Sequence, residues 1–491
     1  MKRLLFLSLG CSLLFGILLL TSCHDEDPKV EDITDNGNGG ETPTTDLTTT
    51  QKVNNFIFSV MDDVYLWYDE MPNIDRYKET DSKAYFNKLL YKDDYWSYIT
   101  DDVTEWENSL NGNEKSYGYA LAWGSFVDEN KQPTGNYFAI VEYVYPNTPA
   151  ERAGFDRGDI ITKINGSPIT EDNYLDLLSG ETAVVTTGTL SESGIKDGND
   201  ITMTAEDLQL DPVLMYKIVE KDGHKIGYLL YTQYITSYNT SIEAAFSYFK
   251  SNQITDLILD LRYNPGGYQS AAQYLCSCIA PLSVVEGQNT LVTLQWNDKY
   301  QEYWQSNNMT SQTTVPFDNT VPLRLGLNKL TVLTTHGTAS SSELTITGLR
   351  AYMDVTIVGD TTYGKYTGSV TVTPEDIYSK KGEYEPISNW GLQPIVMRYA
   401  NAQGVTNFVD GFPPDFYVED ELLPAYPLGD LSEPLLKKAV ENITGVPILS
   451  MKSAKTKFKF RVIDRAASKF DRMKRNSAIF TQKDFLRTKD Q

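Results

Sequence analysis

The chain has 491 residues, a formal charge of −23, four cysteines and three histidines. That length allows several hydrophobic cores, and with no disulfide framework those cores must carry the stability. The acidic balance argues against nucleic acid as the main partner, three histidines argue against a multi-histidine metal site, and no cofactor is expected.

Lys2 and Arg3 precede an apolar stretch from Leu4 to Leu20, which reads as a targeting segment over 1–22 and is too short for a permanent membrane span. Leu20-Thr21-Ser22-Cys23 resembles a bacterial lipobox, which implies that Cys23 carries lipid, becomes the first mature residue and makes the membrane a partner. Residues 23–50 are acidic, then rich in Gly, Asn and Thr without apolar periodicity. They read as a flexible tether with a reach of roughly 30 Å. His24 after Cys23 resembles outer-membrane sorting, and Asp25-Glu26-Asp27 resembles the surface-export signals of Bacteroidetes lipoproteins. A lipid-anchored protein of the bacterial cell envelope, at the outer membrane, is expected.

Over 51–114 the pattern is helical. Val53, Phe56, Ile57, Val60, Met61, Val64 and Trp67 form one apolar face until Pro72, which predicts a small helical N-terminal domain that packs and has no chemistry of its own. Residues 115–208 turn to short strands, including Tyr137 to Tyr145. The run Pro149-Ala150-Glu151-Arg152-Ala153-Gly154-Phe155, followed by Arg157-Gly158-Asp159-Ile160 through Ile164-Asn165-Gly166, resembles a PDZ domain. Ile160, Ile161 and Ile164 suit a small core, and Asn165-Gly166 is a strong hairpin turn. PDZ domains take extended peptide ends by strand addition, so the resemblance implies a peptide-binding turn at Tyr117, Gly118 and Tyr119 and a polypeptide partner with a free C-terminus.

Residues 209–445 read as the catalytic domain. A hairpin through Asp222-Gly223 enters the strand Ile226 to Tyr231, then a helix with Ile242, Ala245, Phe246 and Phe249 on one face. The buried strand Ile254 to Leu261 runs into Asp260-Leu261-Arg262-Tyr263-Asn264-Pro265-Gly266-Gly267 and a helix with Ala271, Ala272, Leu275, Cys276 and Ile279. Paired glycines let a backbone N–H approach a ligand, although a tight strand-to-helix turn explains them equally. Cys276 and Cys278 diverge on that helix by about 200° and read as small apolar residues.

The strand Lys329 to Thr335 leads into Gly337-Thr338-Ala339-Ser340-Ser341-Ser342-Glu343, with Ser340 at the start of a helix running to about Met353. A helix start offers unpaired N–H groups and a positive dipole end, so the Ser341 N–H could hold an oxyanion. The S-x-x-E spacing of Ser340 and Glu343 is equally a capping box. The strand Val355 to Val358 ends at Gly359, and the loop beyond it delivers Lys365, 25 residues after Ser340. A serine hydroxyl needs a base, and a buried neutral lysine can serve. His336, at a strand end, would need a carboxylate partner to act as a triad histidine, while His24 and His224 lie elsewhere. A lysine base must fall from about 10.4 to near 7–8, a shift of roughly 4 kcal/mol that a dry site can impose.

Asp260-Leu261-Arg262 with Asn264-Pro265-Gly266-Gly267, then Thr338-Ala339-Ser340 with Ser342-Glu343, then Gly364-Lys365, resemble the C-terminal processing peptidases in order and spacing. Gly411-Phe412-Pro413-Pro414-Asp415 resembles a late element of the same family. The resemblance implies an α/β fold with a ClpP/crotonase-like core, Ser340 as nucleophile, Lys365 as general base, and Gly266 and Ser341 N–H groups as the oxyanion hole. Many members carry glutamine four residues after the lysine, where this chain has Ser369, so whether Ser369, Thr367 or neither orients Lys365 is open. The implied activity is a serine endopeptidase that recognises polypeptide C-termini and works through an acyl-enzyme. Ser369 keeps open an inactive, peptide-binding lipoprotein on a protease scaffold, while the secretion signal and PDZ-like segment weigh against a crotonase-like enzyme acting on acyl thioesters. Residues 446–491 form a basic tail with 13 Lys and Arg against 4 Asp, so that this +9 leaves −32 for the remainder. Such a tail is a solvated extension or docks on an acidic surface of its own protein, on anionic lipid or on a polymer.

Overall fold

A computed structural model describes residues 47–127, 132–170, 172–178, 180–191, 194–449, 460–466 and 479–480. The targeting segment and Cys23 lie outside these residues. Helix α1 (Thr49–Val64) begins where the Thr48 hydroxyl accepts the Gln51 N–H at 3.2 Å, and it buries the apolar face expected from Val53 to Val64. That face packs against the rest of the fold. Phe56, Ile57 and Val60 share one core with Leu229, Leu259, Val332 and Met397. The Leu66 N–H donates to the Ile395 carbonyl at 2.8 Å, and Tyr98–Thr100 pairs antiparallel with Gly391–Gln393. The N-terminal helices therefore pack directly against the main sheet and share its core.

The PDZ-like part is an antiparallel sheet in chain order, β1 (Tyr119–Val127), β2 (Pro133–Val144), β3 (Ile160–Ile164), β4 (Thr182–Ser191) and β5 (Gly194–Thr204). Leu121, Trp123, Ile161, Ile164 and Val185 fill one of its cores. Asn165 and Gly166 both have positive φ, 49° and 76°, as a two-residue hairpin turn requires.

The catalytic core contains β6 (Val213–Lys221), β7 (His224–Tyr231), α2 (Asn239–Ser251), β8 (Asp256–Asp260), α3 (Gln269–Ile279), β9 (Thr290–Trp296), β10 (Thr314–Pro316), β11 (Lys329–Thr334), α4 (Ser341–Arg350), β12 (Asp354–Gly359), β13 (Thr367–Ser369), β14 (Ile395–Asn401), β15 (Phe416–Tyr417) and α5 (Pro434–Thr444). The main sheet has the order β6-β7-β8-β11-β12-β15, parallel from β7 onward. Alternate residues explain its two buried faces. Leu229, Leu257 and Leu259 face the core shared with α1 to α4, and Tyr228, Leu230 and Ile258 face Leu435, Leu436 and Val440 of α5. A second sheet, β10-β9-β14-β13, lies over α4. The loops after the carboxyl ends of β8, β11 and β12 carry the glycine turn, Ser340 and Lys365, the crevice where parallel sheets of this kind bind ligands.

Arg262, fully buried, reaches Asp260 at 2.8 Å, Glu433 at 2.9 Å and Asp420 at 3.1 Å. From the PDZ-like part, Arg157 donates to the same Asp420 at 2.8 Å, to the Tyr263 hydroxyl and to the carbonyls of Glu142 and Tyr426. This network fastens the two parts together directly beneath the glycine turn. Arg262→Met leaves three buried carboxylates without their shared cation, and about 3–5 kcal/mol of stability is expected to be lost. Urea unfolding followed by tryptophan fluorescence measures this, and an unchanged midpoint would show that the network is not what holds the turn.

Candidate active site

Ser340 enters α4 with φ 60° and ψ −115°, a conformation that non-glycine residues adopt only when their surroundings enforce it. The surroundings are dense. The Ala339 N–H donates to the Asn264 carbonyl at 3.1 Å and the Leu344 N–H to the Ser340 carbonyl at 2.8 Å. The hydroxyls of Ser341 and Ser342 donate to the carbonyls of Gly267 and Asn264, at 2.8 and 3.0 Å, and so lock the helix start onto the glycine turn. Ser340 Oγ, by contrast, is buried and has no hydrogen-bond partner among the described residues. The capping-box arrangement of Ser340 and Glu343 is present, with Glu343 bonded to the Ser340 N–H and no cap hydrogen bond to the Ser340 hydroxyl.

Glu343 does far more than cap. Its Oε2 accepts the Ser340 N–H at 2.9 Å and the Lys365 N–H at 2.8 Å, while Oε1 accepts the Gly364 N–H at 2.7 Å and the Thr362 hydroxyl at 2.6 Å. Burial pushes this carboxyl up to about 7, against four donors that all favour its ionised form. On the other side, the Tyr399 hydroxyl of β14 lies 3.2 Å from the Ser340 carbonyl and 3.1 Å from the Lys365 carbonyl, sharing its proton between them. One carboxylate and one phenol thus tie the two backbones together from both polarities.

The Lys365 amine is buried, and its Nζ lies 5.6 Å from the centre of the Trp96 ring. Burial holds its pKa well below the usual lysine range, opposed by the negative charges of Asp94 and Glu343. Asp94 is itself positioned by the Tyr65 hydroxyl at 2.7 Å and by the N–H groups of Trp96 and Ser97, both at 2.9 Å. The N-terminal layer therefore contributes to the environment of the lysine, which helical periodicity could not disclose.

Gly266 comes so close to Ser340 that an added Cβ would meet Ser340 Cβ at 2.7 Å and Oγ at 2.9 Å, so only glycine fits. Its N–H, expected to face an oxyanion, instead donates to Asn264 Oδ1 at 2.9 Å, and Asn264 is held in turn by its own bond to the Tyr231 carbonyl. The Ser341 N–H, at the first position of α4, has no intrahelical acceptor. Ser369 and Thr367 are buried in β13, yet neither hydroxyl finds a hydrogen-bond partner. Neither hydroxyl bonds Lys365, whose backbone is held by Glu343 and Tyr399. His336 is exposed and stacks near Tyr363 at 5.3 Å rather than serving Ser340. Tyr117 and Tyr119 are buried in the PDZ core, and the Gly118 N–H donates to the Ser116 hydroxyl at 3.1 Å. Cys276 and Cys278 are free thiols that burial pushes up to about 12. The described residues contain no group of His, Cys, Asp and Glu able to hold a metal ion.

Two titrations follow from this geometry. Removing the Asp94 charge lowers the Lys365 pKa further, so Asp94→Asn should move the pH midpoint for fluorophosphonate labelling of Ser340 to lower pH, and an unmoved midpoint would exclude Asp94 from the site. For Glu343, raised from 4.5 to about 7, the folded chain retains the proton that the unfolded chain loses. Its contribution to stability is present below pH 4.5 and lost as pH rises through about 7. Glu343→Gln should flatten that slope in urea midpoints measured across this range.

Comparisons with known proteins agree with this architecture. Residues 225–418 match the model of peptidase family S41, residues 52–98 that of the peptidase S41 N-terminal domain, and residues 140–187 that of the PDZ domain. The carboxy-terminal-processing protease of Bartonella bacilliformis is 27% identical over 351 residues, covering 67% of this chain and 73% of that protein. A CtpA-like serine protease relative in Staphylococcus saprophyticus is 24% identical over 380 residues, covering 75% of this chain but 65% of its own length, and its Staphylococcus aureus counterparts are spanned over 56%. The chain thus spans less than two thirds of several of these relatives. A crystal structure from Bacteroides fragilis, assigned to the S41 proteases, superposes with a TM-score of 0.64 at 27% identity, covering 79% of this chain and 97% of that one.

Proposed function

The chain belongs to peptidase family S41, and on that premise we propose that it is a lipid-anchored serine endopeptidase of the bacterial cell envelope. It cleaves polypeptides recognised by their C-terminal ends, as the names of its carboxy-terminal-processing relatives suggest. The observation that carries this reading is the pairing of an unspent, buried Ser340 hydroxyl with a buried Lys365 whose backbone is tied to that of Ser340 through Glu343 and Tyr399.

In the mechanism this supports, neutral Lys365 takes the hydroxyl proton as Ser340 Oγ attacks the peptide carbonyl carbon. The Ser341 N–H and the positive end of α4 stabilise the oxyanion. Gly266 gives the carbonyl room to approach and joins as a donor only if its N–H turns from Asn264. Lys365 then gives the proton to the departing amine, leaving the acyl-enzyme, and activates the water that hydrolyses it. The PDZ-like part delivers the polypeptide end, and lipid on Cys23 of Leu20-Thr21-Ser22-Cys23 places the enzyme on the membrane.

Ser340→Ala and Lys365→Ala are each expected to lower cleavage of an unstructured polypeptide by about 10³-fold or more while leaving the fold intact. Amidating the substrate C-terminus should slow cleavage by the wild type. Full activity in both variants would overturn the dyad. A wild type that binds free C-terminal peptides without cleaving them would favour a peptide-binding lipoprotein.

A further inference from the structure

The outer edge of the PDZ sheet is occupied by the chain itself. β16 (Phe460–Ala466), from the basic tail, pairs antiparallel with β1, from Phe460 opposite Phe126 to Ala466 opposite Leu121. It lies on the side of β1 away from β2. Its C-terminal end is therefore nearest the turn Tyr117-Gly118-Tyr119, the direction in which a captured peptide end would run into that turn. Phe460 and Val462 pack with Ala122, Phe138 and Ile140, with the Phe460 and Phe138 rings 6.1 Å apart. Farther along the tail, β17 (Ile479–Phe480) pairs in parallel with Gly368 and Ser369 of β13, a few residues beyond Lys365. One segment thus meets both the peptide-capturing edge and the strand that follows the catalytic lysine.

We propose that β1 is the docking edge for extended polypeptide and that residues 460–466 are its built-in occupant, which a substrate end must displace. The inference rests on the PDZ-guided peptidase reading above. Charge favours the arrangement, because the tail carries +9 and the rest of the chain −32. Tethering favours it too, since a covalently linked ligand acts at an effective concentration in the millimolar range and competes well even when weak. Displacement is feasible because the ladder is short and its register shifts between Val462 and Asp464, which removes part of the regular bonding.

The test uses the mature chain carrying Ser340→Ala, so that binding is read without cleavage, and a fluorescent peptide copying residues 460–466 with a free terminal carboxylate. Deleting residues 450–491 should tighten peptide binding by about tenfold or more, as removal of a tethered competitor requires. Phe460→Asp combined with Val462→Asp should do the same while leaving the tail present, which guards against an effect of truncation on folding. In the wild-type Ser340 background, the same two changes should raise cleavage of a low concentration of polypeptide. Equal peptide affinity in all forms would overturn the proposal, even if cleavage were robust. Tighter binding with no cleavage in any form would support the docking edge and overturn the peptidase reading instead.

Discussion

Glu343 Oε2 accepts the N–H of Ser340 and of Lys365, so two residues from separate strand-to-loop junctions share a single oxygen atom. Hydrogen bonds to a charged acceptor contribute about 1.5–3 kcal/mol each, and Glu343 makes four, which offset part of what burying a carboxylate costs and leave its pKa raised to about 7. The same set of bonds enforces the unusual backbone of Ser340. With its N–H, its carbonyl and its flanking residues all engaged, Ser340 retains only its hydroxyl uncommitted.

Low polarity is the second requirement. The burial that raises Glu343 also depresses Lys365, because both effects have the same origin in lost hydration. Asp94 opposes the depression of the Lys365 pKa, and the Trp96 ring lies 5.6 Å from the amine. The lysine environment is consequently built by residues on both sides of the PDZ insertion. The N-terminal helices accordingly share one hydrophobic core with the main sheet.

Arg262 and Arg157 extend the same logic outward. A buried arginine with three carboxylates close to the glycine turn, and a second arginine reaching across from the PDZ-like part to one of those carboxylates, join the turn beside Ser340 to the PDZ-like sheet. Both arginines contact Asp420, so one carboxylate is shared between the two parts.

Periodicity and turn chemistry made much of this legible. The apolar face of α1, the hairpins at Asp222-Gly223 and Asn165-Gly166, the buried strand before Arg262 and the helix after Ser340 all depend on neighbours within a few residues, where the sequence alone is sufficient. Motif order likewise brought Ser340, Lys365 and Gly266 into one neighbourhood. What no local pattern could decide was how they are held. Tyr399 and Asp94 are separated from Ser340 and Lys365 by long stretches of chain and carry no motif, so only packing reveals them. Glu343 had a sufficient local explanation as a cap, Ser369 a plausible one as a substitute for glutamine, and Gly266 one as a donor. Tertiary structure changed each assignment, because a hydrogen bond goes to the atom that folding places within about 3 Å, and that placement is a property of the whole chain.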